Sequence, residues 1–162
     1  MTNIEKKGYQ PVVMRVYNKD RQLVLEDEVL CAYDIYTSKI EAIGREAQKF
    51  TENNQIEVVN PLKWGVVANY TVFEKIMKFQ LQKVMKRMAL KTRLAFCVPA
   101  KLSQVESIAF KDAFLNLNLF RDVYMIEKSF EEMIQAPLPE GLKKPGLYVE
   151  LVSEYYASEY FN

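Results

Sequence analysis

The sequence predicts an α/β domain in which a mixed sheet is flanked by helices. Strand-like segments fill the first third of the chain, and helical and strand-like segments alternate after them. Capping boxes, in which Ser or Thr is followed three residues later by Glu, mark helix starts at Thr71, Ser103 and Ser129. With 162 residues, 49% of them hydrophobic, the chain can bury one sizeable core. We therefore expect one compact domain.

The first third of the chain predicts three strands, because apolar, β-branched and aromatic residues alternate there or run together. These strands are expected at residues 11–17, 21–34 and 38–44. A short helix at 45–50 and a polar loop at 51–55 follow.

Three helices are predicted, one from each capping box. The first, from Thr71 to about Met88, has an apolar stripe at spacings of three and four residues, formed by Phe73, Met77, Leu81, Val84 and Met88. The second begins at Ser103 and is expected to turn inward the apolar residues Val105, Ile108, Ala109 and Ala113. Strands between and after these helices complete the mixed sheet, and they are predicted at 93–98, 122–126 and 147–152.

Composition excludes several classes of function. The 22 basic and 21 acidic residues leave a net charge of +1, so no nucleic-acid partner is expected. Histidine is absent, which excludes Ser-His and Cys-His hydrolases and removes the commonest metal ligand. Cys31 and Cys97 lie in apolar segments and are expected to be buried thiols. Two cysteines without histidine are too few ligands for a zinc site, and carboxylates would hold magnesium only together with a phosphate-bearing substrate.

Neither a membrane span nor a signal peptide is indicated. No apolar run approaches the roughly 18 residues of a spanning helix, and residues 1–10 have no apolar signal-peptide core. A cytoplasmic location is expected.

Four segments resemble, in the same order and at nearly the same spacing, the MreB family of bacterial actin homologues, which determine rod shape. They are 21–50, 60–79 (NPLKWGVVANYTVFEKIMKF), 94–106 (LAFCVPAKLSQVE) and 123–139. The resemblance implies the first domain of an actin-like ATPase, an RNase-H-like fold with a small inserted subdomain at roughly 25–60. It divides the chain into a degenerate actin-like domain at 1–146 and a C-terminal strand with an aromatic tail at 147–162, and it leaves about half of the usual molecule absent.

The resemblance also implies an ATP site, and the chain departs from that site at five places. A phosphate-binding turn needs glycines, so that backbone amides approach the anion, and an acid that organises the metal. The departures are residues 5–11 in place of an Asp-Leu-Gly-Thr turn, 150–158 in place of Asp-Ile-Gly-Gly-Gly-Thr, Glu127-Lys128-Ser129 in place of Glu-Glu-Pro, Phe130 to Met133 in place of small alanines, and Asn69 in place of Asp. Glu150 is left as the counterpart of the second turn's acid. These losses predict a pseudo-ATPase with no catalytic residue, no bound metal and no cofactor.

Lys6, Lys7 and Gly8 leave two interpretations open. They hold a phosphate by charge alone, or they belong to a solvated N-terminal tail.

The segment after the first long helix corresponds to a loop that dips into the membrane in MreB proteins. Its candidate membrane contacts are the basic and apolar residues Lys86, Arg87, Met88, Leu90 and Lys91. Basic residues near an anionic leaflet contribute about 1 kcal/mol each, so a single copy would bind weakly. The alternative is an ordinary helix end, whose basic residues favour the helix dipole.

Candidate partner contacts are aromatic. Trp64, the only tryptophan, lies in a predicted surface turn, where it anchors a partner or packs across the strands of the small subdomain. The tail has four aromatics, Tyr155, Tyr156, Tyr160 and Phe161. It covers a sheet edge or the exposed cleft face, or it pairs with another subunit.

The function expected from these features is a non-catalytic structural or binding component of a bacterial cell-shape cytoskeleton. Its partner would be itself, an actin-like filament or the inner face of the cell membrane. The alternative function is a half-ATPase that binds nucleotide only when a partner supplies the second domain.

Overall fold

The computed structural model describes residues 12–86, 91–136, 138 and 140–153. The strands are β1 (Val13–Asn18), β2 (Leu23–Glu28), β3 (Cys31–Asp34), β4 (Ile40–Ile43), β5 (Ile56–Val59), β6 (Leu62–Lys63), β7 (Val66–Val67), β8 (Thr92–Cys97), β9 (Phe120–Ile126) and β10 (Leu147–Val152). The helices are a 3-10 helix (Gly44–Phe50), α1 (Tyr70–Val84), α2 (Gln104–Leu115) and α3 (Phe130–Gln135).

Five strands form a mixed sheet in the order β2-β1-β10-β8-β9. β1 is antiparallel to β2 and to β10, whereas β10, β8 and β9 run parallel to one another. The predicted α/β class, with a mixed sheet flanked by helices, is confirmed. β3, β4 and β5 form a separate three-stranded sheet in the order β4-β3-β5, and β6 and β7 form a hairpin.

β10 is the central strand of the large sheet. Val149 pairs with Val16 of β1 on one side and with Phe96 of β8 on the other. All of its residues except Val152 are buried, as expected of a strand covered on both faces. The strand bounds agree with those predicted from the sequence.

Helices α1 and α2 cover one face of this sheet and enclose the main core. Phe73 of α1 contacts Phe110 and Phe114 of α2 edge-on, each with ring centroids 5.8 Å apart. Phe96 of β8 lies 5.0 Å from each of the same two rings. This aromatic cluster fixes which side of α2 turns inward.

Asp27 joins the large sheet to the 3-10 helix and to α1. Its carboxylate accepts hydrogen bonds from the Arg45 amide at 2.8 Å and from the Gln80 side-chain amide at 3.0 Å. Gly44 has φ +88°, and a Cβ there would overlap the Asp27 carboxylate. A residue other than glycine would therefore both strain the backbone and break the junction.

The prediction of one strand over 21–34 is wrong, because the segment forms two strands in different sheets. The chain changes partners at Val29 and Leu30, both buried. The Val29 amide donates to the Val12 carbonyl at 2.9 Å, while the Leu30 carbonyl accepts from the Gly44 amide at 2.9 Å. Val29 is thus hydrogen-bonded to the residue before β1 of the large sheet, whereas Leu30 is hydrogen-bonded to the residue after β4 of the three-stranded sheet.

The caps predicted at Ser103 and Ser129 are confirmed, and the one at Thr71 is wrong. The Ser103 hydroxyl accepts from the Glu106 amide, and Ser129 forms a complete capping box with Glu132. In α1 the cap is Asn69, whose side chain accepts from the Val72 amide at 3.1 Å. An amide side chain satisfies the free amides of the first turn as well as a hydroxyl does.

The predicted length of α1 and the inner face of α2 also need correction. α1 ends at Val84 rather than near residue 88, which lies outside the described residues. In α2, Val105 and Ile108 are 77% and 50% exposed, whereas Phe110, Phe114 and, as predicted, Ala113 are buried. The larger aromatic side chains bury more apolar area, which is why they face the sheet.

Cys31 and Cys97 are both free, buried thiols, as predicted.

We predict that Val149→Asp unfolds the protein. The side chain is 0% exposed at the centre of the sheet, and an unpaired carboxylate there should lower the free energy of unfolding by about 4 kcal/mol or more. Urea unfolding followed by circular dichroism measures this loss. Val24→Asp is the matched control, because Val24 is 44% exposed on the edge strand β2. Equal losses in the two variants would contradict the central role of β10.

Candidate functional site

The carboxyl ends of the parallel strands β8, β9 and β10 lie at one edge of the large sheet. Open α/β sheets bind ligands at this edge, because the loops that follow the strands converge there. Residues 98–100 follow β8, residues 127–129 follow β9, and Glu150 lies near the end of β10. This edge is the candidate functional site.

Glu150 is the buried acid of the site, with 5% of its surface exposed. One carboxylate oxygen accepts a hydrogen bond from the Phe130 amide at 2.6 Å. The other accepts from the Tyr17 hydroxyl at 3.5 Å and lies 3.9 Å from the Arg15 guanidinium. Both oxygens are thus engaged by groups of the chain itself.

Aromatic rings close the space beside this carboxylate. Tyr17 stacks on Phe130 with centroids 3.6 Å apart and planes 11° apart, and Tyr148 contacts Phe130 edge-on at 5.5 Å. Phe130 and Met133, on α3, are only 6% and 5% exposed. The bulky residues found in the sequence where small alanines were expected therefore fill the sheet face under α3.

Burial dominates the electrostatics of the site. It raises the pKa of Glu150, and the Phe130 amide and the Arg15 guanidinium offset part of that rise. Burial and the nearby Glu150 charge raise the pKa of Cys97 to about 12, so its thiol stays protonated and unreactive at neutral pH. Burial also raises the pKa of Tyr17, and the nearby Glu150 charge raises it further.

Acidic side chains are what a metal ion would need at this edge, and glycines are what a phosphate would need. Within the described part of the chain, no group of three or more His, Cys, Asp or Glu side chains is placed to hold a metal ion. Glu127 and Lys128, after β9, are exposed. Residues 150–152, compared above with a glycine-rich phosphate turn, form the end of a buried strand instead.

Trp64 lies at the tip of the β6–β7 hairpin and is 61% exposed. Trp64 has φ +54° and Gly65 has φ +80°. Two left-handed residues make a two-residue hairpin turn of the kind that favours Asn-Gly. A bulky side chain at the first position is strained there.

The other predicted contacts are described only in part. Lys86 and Lys91 are exposed on either side of the segment between α1 and β8. Arg87, Met88 and Leu90 lie outside the described residues, as do Lys6, Lys7 and Gly8. The same holds for the tail aromatics Tyr155, Tyr156, Tyr160 and Phe161. Among the helices that the structure describes, none is long and apolar enough to span a bilayer.

Sequence reasoning missed most partners of Glu150. It identified Glu150 and the bulk of Phe130, but it did not connect Tyr17 or Arg15 with them. Tyr17 and Glu150 are 133 residues apart in sequence, and no local pattern indicates such a pair.

Comparisons with known proteins show that the chain is similar to bacterial actin homologues. The family model described as MreB/Mbl protein matches residues 11–146. The cell shape-determining protein MreB of Haemophilus influenzae is 32% identical over 144 residues, which are 84% of this chain and 41% of that protein. Mbl of Bacillus subtilis is 31% identical over 101 residues, 60% of this chain and 30% of that protein. The chain thus spans less than half the length of these relatives.

Solved structures show the same fold. MreB5 of Spiroplasma citri bound to ADP matches with a TM-score of 0.61 and 23% identity, over 73% of this chain and 35% of that one. The MamK double helical filament matches with a TM-score of 0.58 and 12% identity, over 75% of this chain and 39% of that one. The fold is therefore actin-like. β10 lies just beyond the residues that the family model matches.

We predict that Glu150→Gln changes how stability depends on pH. The folded-state pKa of Glu150 is raised, so the folded protein holds this proton more tightly than the unfolded chain does. The contribution of Glu150 to stability is therefore fully present below about pH 4.5 and is lost as the pH rises through the folded-state pKa. The glutamine keeps an acceptor for the Phe130 amide without the charge. Its stability relative to wild type should rise with pH, as measured by urea unfolding at several pH values.

Glu26→Gln is the control, because its stability relative to wild type should change with pH in the opposite direction. A hydrogen bond from Arg15 lowers the pKa of Glu26, so that carboxylate stabilises the fold above the unfolded-state pKa and loses its effect as the pH falls. If both variants changed with pH in the same direction, the buried charge of Glu150 would not be the cause.

Proposed function

The chain belongs to the MreB/Mbl family of bacterial actin homologues, and on that premise we propose that it is a non-catalytic pseudo-ATPase domain. It acts as a structural or binding component of a cell-shape cytoskeleton in the cytoplasm. The large sheet with α1 and α2 is the actin-like scaffold, and the three-stranded sheet is the small inserted subdomain. The activity of the longer relatives does not carry over to this shorter chain by similarity alone.

The state of Glu150 is the main support for this proposal. An ATPase acid must reach a metal or a water molecule in an open site. The Glu150 carboxylate is instead buried, hydrogen-bonded to the Phe130 amide at 2.6 Å and covered by the Tyr17–Phe130 stack. A nucleotide phosphate would have to displace both the carboxylate and the rings.

The missing glycines support the same proposal. β10 lies beside β1 on the side away from β2, and its end, Glu150 to Val152, contains no glycine. A side chain at each of these positions keeps the backbone amides away from an anion. Lys128 follows β9, where the family has an acid, and a cation cannot act as the base that positions a water molecule.

Partner binding is proposed to use Trp64. A strained backbone that presents a large exposed ring is typical of functional surfaces, because the strain brings the fold no stability. Tryptophan is also the residue most enriched among side chains that dominate interface energies. The proposed partner is an actin-like filament or a second copy of the chain, in keeping with the filament formed by the structural relative MamK.

A weak membrane contact is proposed at the α1–β8 connection. Lys86 and Lys91 are both exposed there and carry positive charge, which anionic lipids attract. Cosedimentation with phosphatidylserine vesicles tests this contact, and sedimentation unchanged in Lys86→Glu would contradict it.

We predict that the isolated chain does not bind Mg-ATP with a dissociation constant below about 100 μM, or roughly −5.5 kcal/mol. Calorimetric titration measures this. Tighter binding by the chain alone would refute the pseudo-ATPase. The titration is repeated with a full-length MreB-family protein present. Nucleotide binding beyond the capacity of that protein would favour the alternative, a half-ATPase completed by a partner.

We further predict that Trp64→Asn weakens binding to filaments of a full-length MreB-family protein by about 30-fold, as expected for an interface residue worth about 2 kcal/mol. The same substitution should leave the melting temperature unchanged or higher, because asparagine accepts the left-handed turn. Cosedimentation and thermal unfolding measure the two effects. Tyr36→Asn is the matched control, since Tyr36 is an aromatic residue that is 77% exposed. If the wild type and the two variants bound filaments equally well, Trp64 would not be part of the interface.

A further inference from the structure

A groove of about 560 Å³ lies between β4 and α1. Its apolar wall is formed by Ile40 and Ile43 of β4 and by Phe79 of α1. Sites for small molecules typically have volumes of about 300–1,000 Å³ and mostly apolar linings. The groove is separate from the candidate site described above, because none of its lining residues follows β8, β9 or β10.

Phe79 is an apolar side chain that the core of the fold does not use. It is 46% exposed and lies outside the buried side of α1, which consists of Phe73, Ile76, Met77, Gln80 and Leu81. Helix positions that face water are ordinarily polar. An exposed aromatic ring beside an apolar groove is therefore a feature of a binding surface.

The charged side chains around this apolar wall are mostly basic. Lys75 and Lys78 line the groove, and Glu41 is the one acid among the described residues of its lining. Within the described part of the chain, neither Lys75 nor Lys78 forms an ion pair. Lys83 places a third ammonium group 4.5 Å from the centre of the Phe79 ring. A ligand that fills the groove should therefore carry negative charge.

The positive and negative charges lie toward different ends of the groove. Cys31 pairs with Ile43, and burial raises the pKa of the Cys31 thiol, while the nearby Lys75 charge offsets part of that rise. Lys75 thus lies near the Ile43 end of β4, whereas Glu41 lies next to Ile40 at the other end. An anionic head group would be attracted to the lysine end and repelled beside Glu41, which orients the ligand.

The edge of β4 favours a ligand that has no peptide backbone. An added strand needs a regular row of free amides and carbonyls. β4 has only four residues, and its pairing with β3 shifts register between Ala32 and Tyr33. Short and bulged edge strands oppose pairing with another strand. A second copy docked through the same groove about a two-fold axis would bring like-charged lysines together. A hydrocarbon chain requires only apolar contact.

We propose that the groove between β4 and α1 binds a long-chain fatty-acid carboxylate. The hydrocarbon chain lies on Phe79, Ile40 and Ile43, and the carboxylate meets Lys75 and Lys78. This proposal goes beyond the proposed function and does not rest on it, because the ligand is a free molecule in solution and the site involves neither nucleotide, filament nor membrane.

Calorimetric titration of the full-length chain with sodium dodecanoate, kept below its micelle concentration, tests the proposal. The wild type should bind a single dodecanoate molecule per chain. Dodecyltrimethylammonium, which has the same hydrocarbon chain and the opposite charge, should bind at least about tenfold more weakly. Octanoate, which has the same head group, should also bind at least about tenfold more weakly, because it buries fewer methylene groups.

Variants of the groove assign the binding to this site. Lys78→Glu should weaken dodecanoate binding by at least about fivefold, because it reverses a charge beside the carboxylate. Phe79→Ser should weaken it by about tenfold through loss of apolar contact. Lys111→Glu and Ile108→Ser are the matched controls, since both residues are exposed on α2. These two variants should bind dodecanoate as the wild type does.

Four results would overturn the proposal. They are no binding of dodecanoate by the wild type, equal affinity for the anionic and cationic amphiphiles, equal weakening in the groove variants and the α2 variants, and a dimer, seen by light scattering, that the groove variants convert to a monomer. In the last case the occupant would be a second copy of the chain. None of these results bears on the Mg-ATP titration or the filament cosedimentation, so the proposed function is tested separately.

Discussion

The structure depends on the insertion of β10 between β1 and β8. Without that strand β1 and β8 would have no common neighbour, and the antiparallel pair β2-β1 would separate from the parallel pair β8-β9. Side chains alternate along a strand, so β10 serves both faces of the sheet. Leu147, Val149 and Leu151 join the core under α1 and α2, and Tyr148 joins the cluster under α3. Glu150 follows Tyr148 on the α3 face.

This alternation explains why a carboxylate is buried at the candidate site. Glu150 cannot leave the α3 face unless β10 shifts its register, and such a shift would turn Glu150 into the main core and remove Val149 from it. The fold therefore retains the charge and stabilises it locally, with the Phe130 amide, the Tyr17 hydroxyl and the Arg15 guanidinium. Burial still raises the pKa of Glu150, so the compensation is incomplete. An acid held in this way has both of its carboxylate oxygens engaged by groups of the chain itself.

Local features of the fold could be predicted from the sequence, and features that depend on distant residues could not. Ser103 and Ser129 cap their helices because a cap needs only the first turn that follows it. The bounds of β10 follow from its apolar run, but its central position depends on pairing with two distant strands, β1 near the start of the chain and β8 in the middle. In α2 two apolar stripes overlap, and Phe73 and Phe96, which lie elsewhere in the chain, select the one with Phe110 and Phe114. At the site, the lack of glycines and the large side chain of Phe130 could be read from the sequence. The contact of Tyr17 with Glu150 could not, because only the folded chain brings these two residues together.

The contrast between Glu150 and Trp64 bears on where function resides in this chain. The edge of the sheet suited to ligands is filled by its own side chains, although filling it requires a buried charge. The β6–β7 hairpin presents an exposed tryptophan, although its backbone is strained there and asparagine would relieve that strain. Both arrangements lower the stability of the fold, but their consequences differ. The buried charge accompanies a filled site, whereas the strained turn leaves an aromatic side chain exposed. The function that we propose, binding of a protein partner by a domain that does not hydrolyse ATP, is compatible with both costs.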